Sequence, residues 1–209
     1  MNEQPNSGPA ITPEIKDEIE RAAKAVAAGE LVVYPTETVY GLGANALDPE
    51  AVERVFETKE RDRSKPLSFG VASVEAALAH SQPTDLESAC LRRFLPGPVT
   101  VIVDRGESIP DVLTAGRDRV GIRIPDHSIA LALLEETGPL TATSANRSGT
   151  GSVRRVEELD PAIRDQVAVT IDGGETAGAE STVVEPETGT IHRRGANVDA
   201  VESWLEAER

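Results

Sequence analysis

The chain contains one cysteine, three histidines and 3% aromatic residues in 209 positions. A lone cysteine cannot close an internal disulfide, and His80, His127 and His192 are too scattered to give a zinc-ligand spacing. Cys90 sits at helical spacing with Leu86, Leu91 and Phe94, which gives it a buried apolar role rather than that of a nucleophile. Nothing in the sequence offers a Ser-His-Asp or Cys-His arrangement, so covalent catalysis is not expected. No stretch approaches the roughly 18 apolar residues of a membrane helix. The first ten residues, MNEQPNSGPA, lack the basic start and apolar middle of a secretory signal. A cytoplasmic location without membrane association is therefore expected.

Cations are also scarce: 21 Lys and Arg stand against 36 Asp and Glu, a formal charge of −15. That balance opposes a sequence-independent grip on nucleic acid, whose affinity comes from neutralising phosphates, although a local basic patch is compatible with it. Only Lys16, Lys24, Lys59 and Lys65 are lysines. An acidic, arginine-preferring composition suits a high-salt, halophilic cytoplasm in which surface charge is screened.

What is present alternates between two periods. Residues 1–11 are polar and contain Pro and Gly, and are expected to be a flexible segment ahead of a single domain over 12–209. Thr12-Pro13 reads as an N-cap and first helical turn, with Ile15, Ile19, Ala22, Ala23 and Val26 on one face until Gly29. Leu31 to Tyr34 reads as the first strand, and Asp48-Pro49 opens a second helix carrying Val52, Val55 and Phe56 inward. Short β-branched runs then follow (LSFGVAS, TVIVD, VGIRIP, PLTATSA, VAVTID, STVVEP, TIHR). Helical patterns near 74–80, 84–95, 126–137 and 197–207 interleave with them. The alternation implies an α/β fold. The last two strands, separated by Glu187-Thr188-Gly189, read as a hairpin, so the sheet is expected to be mixed.

Chemistry-bearing residues collect at strand ends, where open α/β sheets gather ligands. YPTETVYGLG places Thr36, Glu37, Thr38 and Tyr40 directly after a strand. Self-satisfied hydroxyls and a turn at Gly41 and Gly43 account for it about equally well. Its G-x-G-x-x-A imitates a dinucleotide fingerprint, but the helix signal waits until Asp48, too late for a pyrophosphate site. KERDRSKPL places Lys59, Arg61, Arg63 and Lys65 at alternate positions. An extended segment would aim all four at one polyanion such as a triphosphate, while a solvated helix end is the plainer alternative. PGPVT is read as a rigid turn. Alternation with Val120, Ile122 and Ile124 puts Arg123 opposite an apolar face. TATSANRSG and GAESTVV supply two further hydroxyl-rich strand ends, and IHRRG offers Arg193 or Arg194.

YPTETVYGLGANA, K-x-R…K-P-L, PGPVT, VGIRIPDH, TSAN, DGG and ESTVV followed by RRG, in this order, resemble the YrdC-type threonylcarbamoyl-AMP synthase family from residue 13 to about 205. The resemblance implies a twisted mixed α/β sheet flanked by helices, with a concave, positively lined cavity. It implies ATP, L-threonine and bicarbonate as substrates and L-threonylcarbamoyl-adenylate, pyrophosphate and water as products. A downstream tRNA threonylcarbamoyl-transfer machinery would receive the adenylate, with tRNA contact at most weak. Carried over by position, Thr36, Arg123, Ala142 and Ser181 would hold threonine. Arg61, Lys65, Arg119, Ser144, Asn146, Ser152 and Arg193 would hold ATP, with Lys59, Arg61 and Lys65 as the electrostatic catalytic set. Mg2+ would come with ATP, without dedicated protein ligands. The chain departs from the common family pattern at Asp62, where proline usually follows the motif arginine, and at Gly70, where a histidine is frequent. Arg193-Arg194-Gly195 stands where Arg-Pro-Gly is usual. An RNA-binding maturation factor without ATP turnover is the principal alternative, and a nucleotide-binding module without chemistry is another.

Overall fold

A computed structural model describes residues 8–208. Most of the segment expected to be flexible, residues 1–7, lies outside the described residues. Helix α1 (Pro13–Ala27) begins as its sequence dictates: the Thr12 hydroxyl accepts from the Ile15 amide and Pro13 occupies the first turn. Its face of Ile19, Ala22 and Val26 packs with helix α6 (Ser128–Thr137). Helix α2 (Pro49–Thr58) is capped by Asp48, and α4 (Asp85–Phe94) by a reciprocal capping box between Thr84 and Glu87.

Among the described residues nine strands form one mixed sheet: β1 (Leu31–Tyr34), β2 (Gly41–Gly43), β3 (Ser68–Gly70), β4 (Val99–Asp104), β5 (Arg119–Arg123), β6 (Leu140–Ser144), β7 (Val167–Thr170), β8 (Thr182–Glu185) and β9 (Thr190–Arg193). Their spatial order is β7-β1-β2-β6-β3-β5-β4-β8-β9. β1–β7, β3–β5 and β4–β8 are parallel and the remaining pairs antiparallel, with β8–β9 the expected hairpin. The sheet is covered on both sides. Val32 and Tyr34 of β1 join a cluster under α1 and α6, while Leu31 and Val33 alternate into the main core beneath α2 and α4. Cys90 is buried in that core, and burial raises its thiol to about 12, which leaves it inert.

Two local expectations differ from the structure. Gly41–Gly43 is a strand between β1 and β6, not a turn. Its glycines let the Tyr34 ring lie across the strand, because a Cβ on Gly43 would come 2.9 Å from Tyr34 Cε1 and one on Gly41 3.1 Å from Tyr34 Cζ. Residues 59–66 are not extended either. Lys59 ends α2, Glu60 adopts a left-handed φ of 49°, and the Ser64 amide donates to the Asp62 carboxylate at 2.9 Å in a tight turn. The turn, not an extended alternation, therefore sets where the four cations point: Lys59, Arg61 and Lys65 share one side, and Arg63 turns away to Glu53 and Glu57.

Candidate functional site

Alternation along β5 builds one wall of the site. Val120 and Ile122 enter the core, while Arg119, Gly121 and Arg123 face a cleft of about 590 Å3. The ends of β1, β6 and β8 and the turn after α2 complete it. Among the described residues seven cationic side chains (Lys59, Arg61, Lys65, Arg117, Arg119, Arg123 and Arg193) line the cleft against two carboxylates, Asp62 and Glu180. An acidic protein has thus concentrated positive charge in one hollow, the arrangement that attracts an anionic ligand.

At one end the wall carries hydroxyls and Arg123. Thr36 Oγ1 donates to the Val39 carbonyl at 2.6 Å, accepts from the Thr38 and Val39 amides, and lies 2.8 Å from Thr38 Oγ1. These bonds close the turn, and the same two hydroxyls also line the cleft. Arg123 is 7% exposed, and its guanidinium donates to Glu37 Oε1 at 2.5 Å and to the Val99 carbonyl at 3.3 Å. Ser181 Oγ lies 3.0 Å from Thr100 Oγ1 and accepts from Arg193 at 2.7 Å. Ala142, in register with Ser68, contributes to the floor. Gly70 also lines this end and extends no side chain into it.

Arg193, which bonds Ser181, links this group to the further cations of the cleft. Arg61 folds back on its own turn, donating to the Lys65 carbonyl at 3.0 Å and the Pro66 carbonyl at 2.9 Å. Burial and then the neighbouring Arg193 lower its pKa. The Asp62 side chain fixes this loop by accepting a hydrogen bond from the Ser64 amide. Arg63 leaves the cleft and pairs with Glu53 and Glu57 on α2. Lys59 is 2% exposed, and its Nζ donates to the carbonyls of Ser144 and Asn146, fixing the Ser-Ala-Asn turn after β6. Burial, followed by Arg61 and opposed by Glu180, brings Lys59 down from 10.5 to about 7. Ser144 Oγ in turn bonds Asn146, whose amide donates to the Arg147 and Thr150 carbonyls.

Of the residues carried over as threonine- and ATP-binding, all but Ser152 line the one cleft, whereas Glu37, Tyr40 and Arg63, also singled out from the sequence, do not. Ser152 meets it indirectly, through a 3.0 Å hydrogen bond to Glu180, which also pairs with Arg193 at 3.3 Å. Between the two adjacent arginines the structure decides plainly: Arg193 lines the cleft, whereas Arg194 pairs with Glu202 outside it. Arg119 faces the cleft but is engaged by Glu87, Asp104 and Glu185. Sequence reasoning missed Thr100 and Arg117. Alternation in TVIVD could have found Thr100, which sits between the buried Val99 and Val101 and bonds Ser181. Arg117, which donates to the Ser64 carbonyl, had no such signal.

The Sua5/YciO/YrdC family model, described as "Telomere recombination", matches residues 24–195, and the chain belongs to this family. It is 45% identical over 168 residues to a protein named threonylcarbamoyl-AMP synthase from Pyrococcus abyssi, covering 78% of this chain and 49% of that one. It is 32% identical over 185 residues to one of the same name from Vibrio parahaemolyticus, covering 86% of this chain and all of the relative. The chain spans about half the length of the Pyrococcus relative. Among solved structures it resembles P. abyssi Sua5 complexed with L-threonine, with a TM-score of 0.80 and 39% identity over 88% of this chain and 56% of that one.

Proposed function

We propose that the chain is a threonylcarbamoyl-AMP synthase, converting L-threonine, bicarbonate and ATP into L-threonylcarbamoyl-adenylate, pyrophosphate and water. The observation that carries this reading is that Thr36, Arg61, Arg123 and Ser181, far apart in sequence, line one cleft. A zwitterionic amino acid with a hydroxyl fits the end formed by Thr36, Thr38, Thr100, Ser181 and Arg123, its carboxylate on the arginine and Ala142 against its body. A triphosphate fits the adjoining cations, Arg61, Lys65 and Arg193, with the Ser144–Asn146 turn held by Lys59 beside them. Ser152 acts through Glu180, and Arg119 borders the nucleotide while its acidic partners hold it.

The amine of threonine combines with bicarbonate-derived carbon dioxide to give a carbamate. A carbamate oxygen then forms a bond to the α-phosphorus as the bond to the pyrophosphate oxygen breaks. This chain's residues contribute positioning and positive charge rather than a nucleophile. Lys59, Arg61 and Lys65 are the electrostatic set, of which Lys59 acts chiefly by holding the turn. Among the described residues no group of three or more His, Cys, Asp or Glu side chains could cage a metal. Mg2+ would enter with ATP and supply positive charge that neutralises the phosphates.

No described helix is long and apolar enough to cross a membrane. In this reading the protein works in the cytoplasm and hands its adenylate to a tRNA-modifying partner. The net charge of −15 disfavours the reading as an RNA-binding factor without turnover. Incubation with ATP, threonine and bicarbonate, omitting each in turn, tests the proposal. Pyrophosphate release should require all three, and release that persists without threonine would exclude the reaction.

A further inference from the structure

The ion pair behind the cleft wall is built unusually for a carboxylate receptor. Arg123, which lines the cleft, already has a carboxylate: Glu37 Oε1 lies 2.5 Å away, and the two side chains are 8% and 10% exposed. Glu37 does not line the cleft, so it stands behind the arginine rather than beside a ligand. Its second oxygen, Oε2, is buried and has no hydrogen-bond partner among the described residues. The field around it includes Tyr34 and His127, both buried. Burial outweighs the surrounding charges in both, raising Tyr34 to about 12 and lowering His127, which keeps both rings neutral near pH 7. Arg123 thus supplies the charge compensation of Glu37 through their ion pair. A ligand carboxylate arriving at Arg123 must share a guanidinium that is already neutralised.

We infer that Glu37 is a positioning residue that orients Arg123 toward the cleft and deliberately weakens its hold on the substrate carboxylate. The inference rests on the reading of Arg123 as the threonine-carboxylate receptor. Orientation and attenuation are separable because of the orphan oxygen. In Glu37→Gln the amide oxygen can keep the bond to Arg123 while the amide nitrogen takes the Oε2 position, where no protein donor is lost. Only the negative charge disappears. Arg123 is then a buried cation awaiting an anion, and the ligand supplies it. In Glu37→Ala both the bond and the charge go, and the guanidinium loses the contact that aims it.

The test measures L-threonine binding by calorimetry, and threonine KM and kcat with ATP and bicarbonate saturating, in the wild type, Glu37→Gln, Glu37→Ala and Glu37→Asp. Glu37→Gln should bind threonine about tenfold more tightly, the low end of what removing a charge at this distance does. The gain should appear in KM more than in kcat, with a lower melting temperature in the ligand-free protein and a larger stabilisation by threonine. Glu37→Ala should raise KM, and Glu37→Asp should fall between it and wild type. Weaker threonine binding in a folded Glu37→Gln, or a loss confined to kcat, would overturn the inference while leaving the synthase reading intact. Wild-type protein that binds ATP but no threonine would instead remove the reading on which it rests. Glu37→Gln and Glu37→Ala chains that both fail to fold while Glu37→Asp folds would show a purely structural carboxylate and also overturn it.

Discussion

Replacing Lys59 by methionine should separate the stability of the fold from the activity of the site. Lysine at this position is 2% exposed and donates to two carbonyls, those of Ser144 and Asn146. Methionine has similar length and no donor. A buried carbonyl left without a donor costs about 1–3 kcal/mol, so the two together cost about 2–6 kcal/mol. Against this stands the cost of keeping an ammonium in that environment. Burial carries Lys59 from 10.5 to about 7, which corresponds to roughly 5 kcal/mol at about 1.4 kcal/mol per tenfold. The two terms nearly cancel, and the stability of the Met variant should lie within about 3 kcal/mol of wild type at pH 7. The sign of the pH dependence follows. Between about 7 and 10.5 the unfolded wild type binds a proton at Lys59 that the folded protein does not, so this residue's contribution to stability rises with pH through that window and is lost as pH falls toward 7. The variant lacks that rise. Adenylate formation, by contrast, should drop about 100-fold, the usual loss when one preorganised charge or donor is removed. Denaturant titrations at pH 7 and pH 9, paired with turnover, make the comparison. A folded Met variant with near-wild-type turnover, or one whose stability follows pH as the wild type does, would refute the reasoning.

Neighbouring positions give sharper contrasts. Arg61→Ala should lose about 100-fold in adenylate formation. Arg63→Ala, which touches only Glu53 and Glu57 at the surface, should keep its turnover and shift stability by less than about 1 kcal/mol; equal losses in the two would dissolve the distinction drawn from the turn. Gly43→Ala should destabilise the fold by about 1–3 kcal/mol by pushing on the Tyr34 ring, seen as a lower denaturation midpoint. With 36 acidic residues against 21 basic ones, removing salt should lower the melting temperature through unscreened repulsion, and a midpoint unchanged by salt would count against a halophilic origin.

Elements with a strong local signal were legible in the sequence. Thr12-Pro13 and Asp48-Pro49 announce α1 and α2, and the residues of β5 sort themselves by alternation into core and cleft. What escaped depends on contacts between distant residues. Gly41–Gly43 has the composition of a turn and becomes a strand because β1 and β6 flank it and the Tyr34 ring covers it. The four-residue helices Asp111–Thr114 and Pro161–Arg164 are too short to show a period. For the site, residue types and their order were legible, but orientation was not. Nothing in the spacing of Lys59, Arg61, Arg63 and Lys65 reveals that the chain turns at Glu60 and Asp62, burying the first and turning the third away. The choice between Arg193 and Arg194 likewise depends on Ser181 and Glu202, residues that become neighbours only in the fold.

The most direct measurement is the identity of the product. With 13C-labelled bicarbonate, ATP and L-threonine, mass spectrometry of the reaction should detect a threonylcarbamoyl-adenylate carrying the label. Its appearance should require threonine and match pyrophosphate released. Pyrophosphate formed with AMP alone, or a labelled product that arises without threonine, would contradict the account.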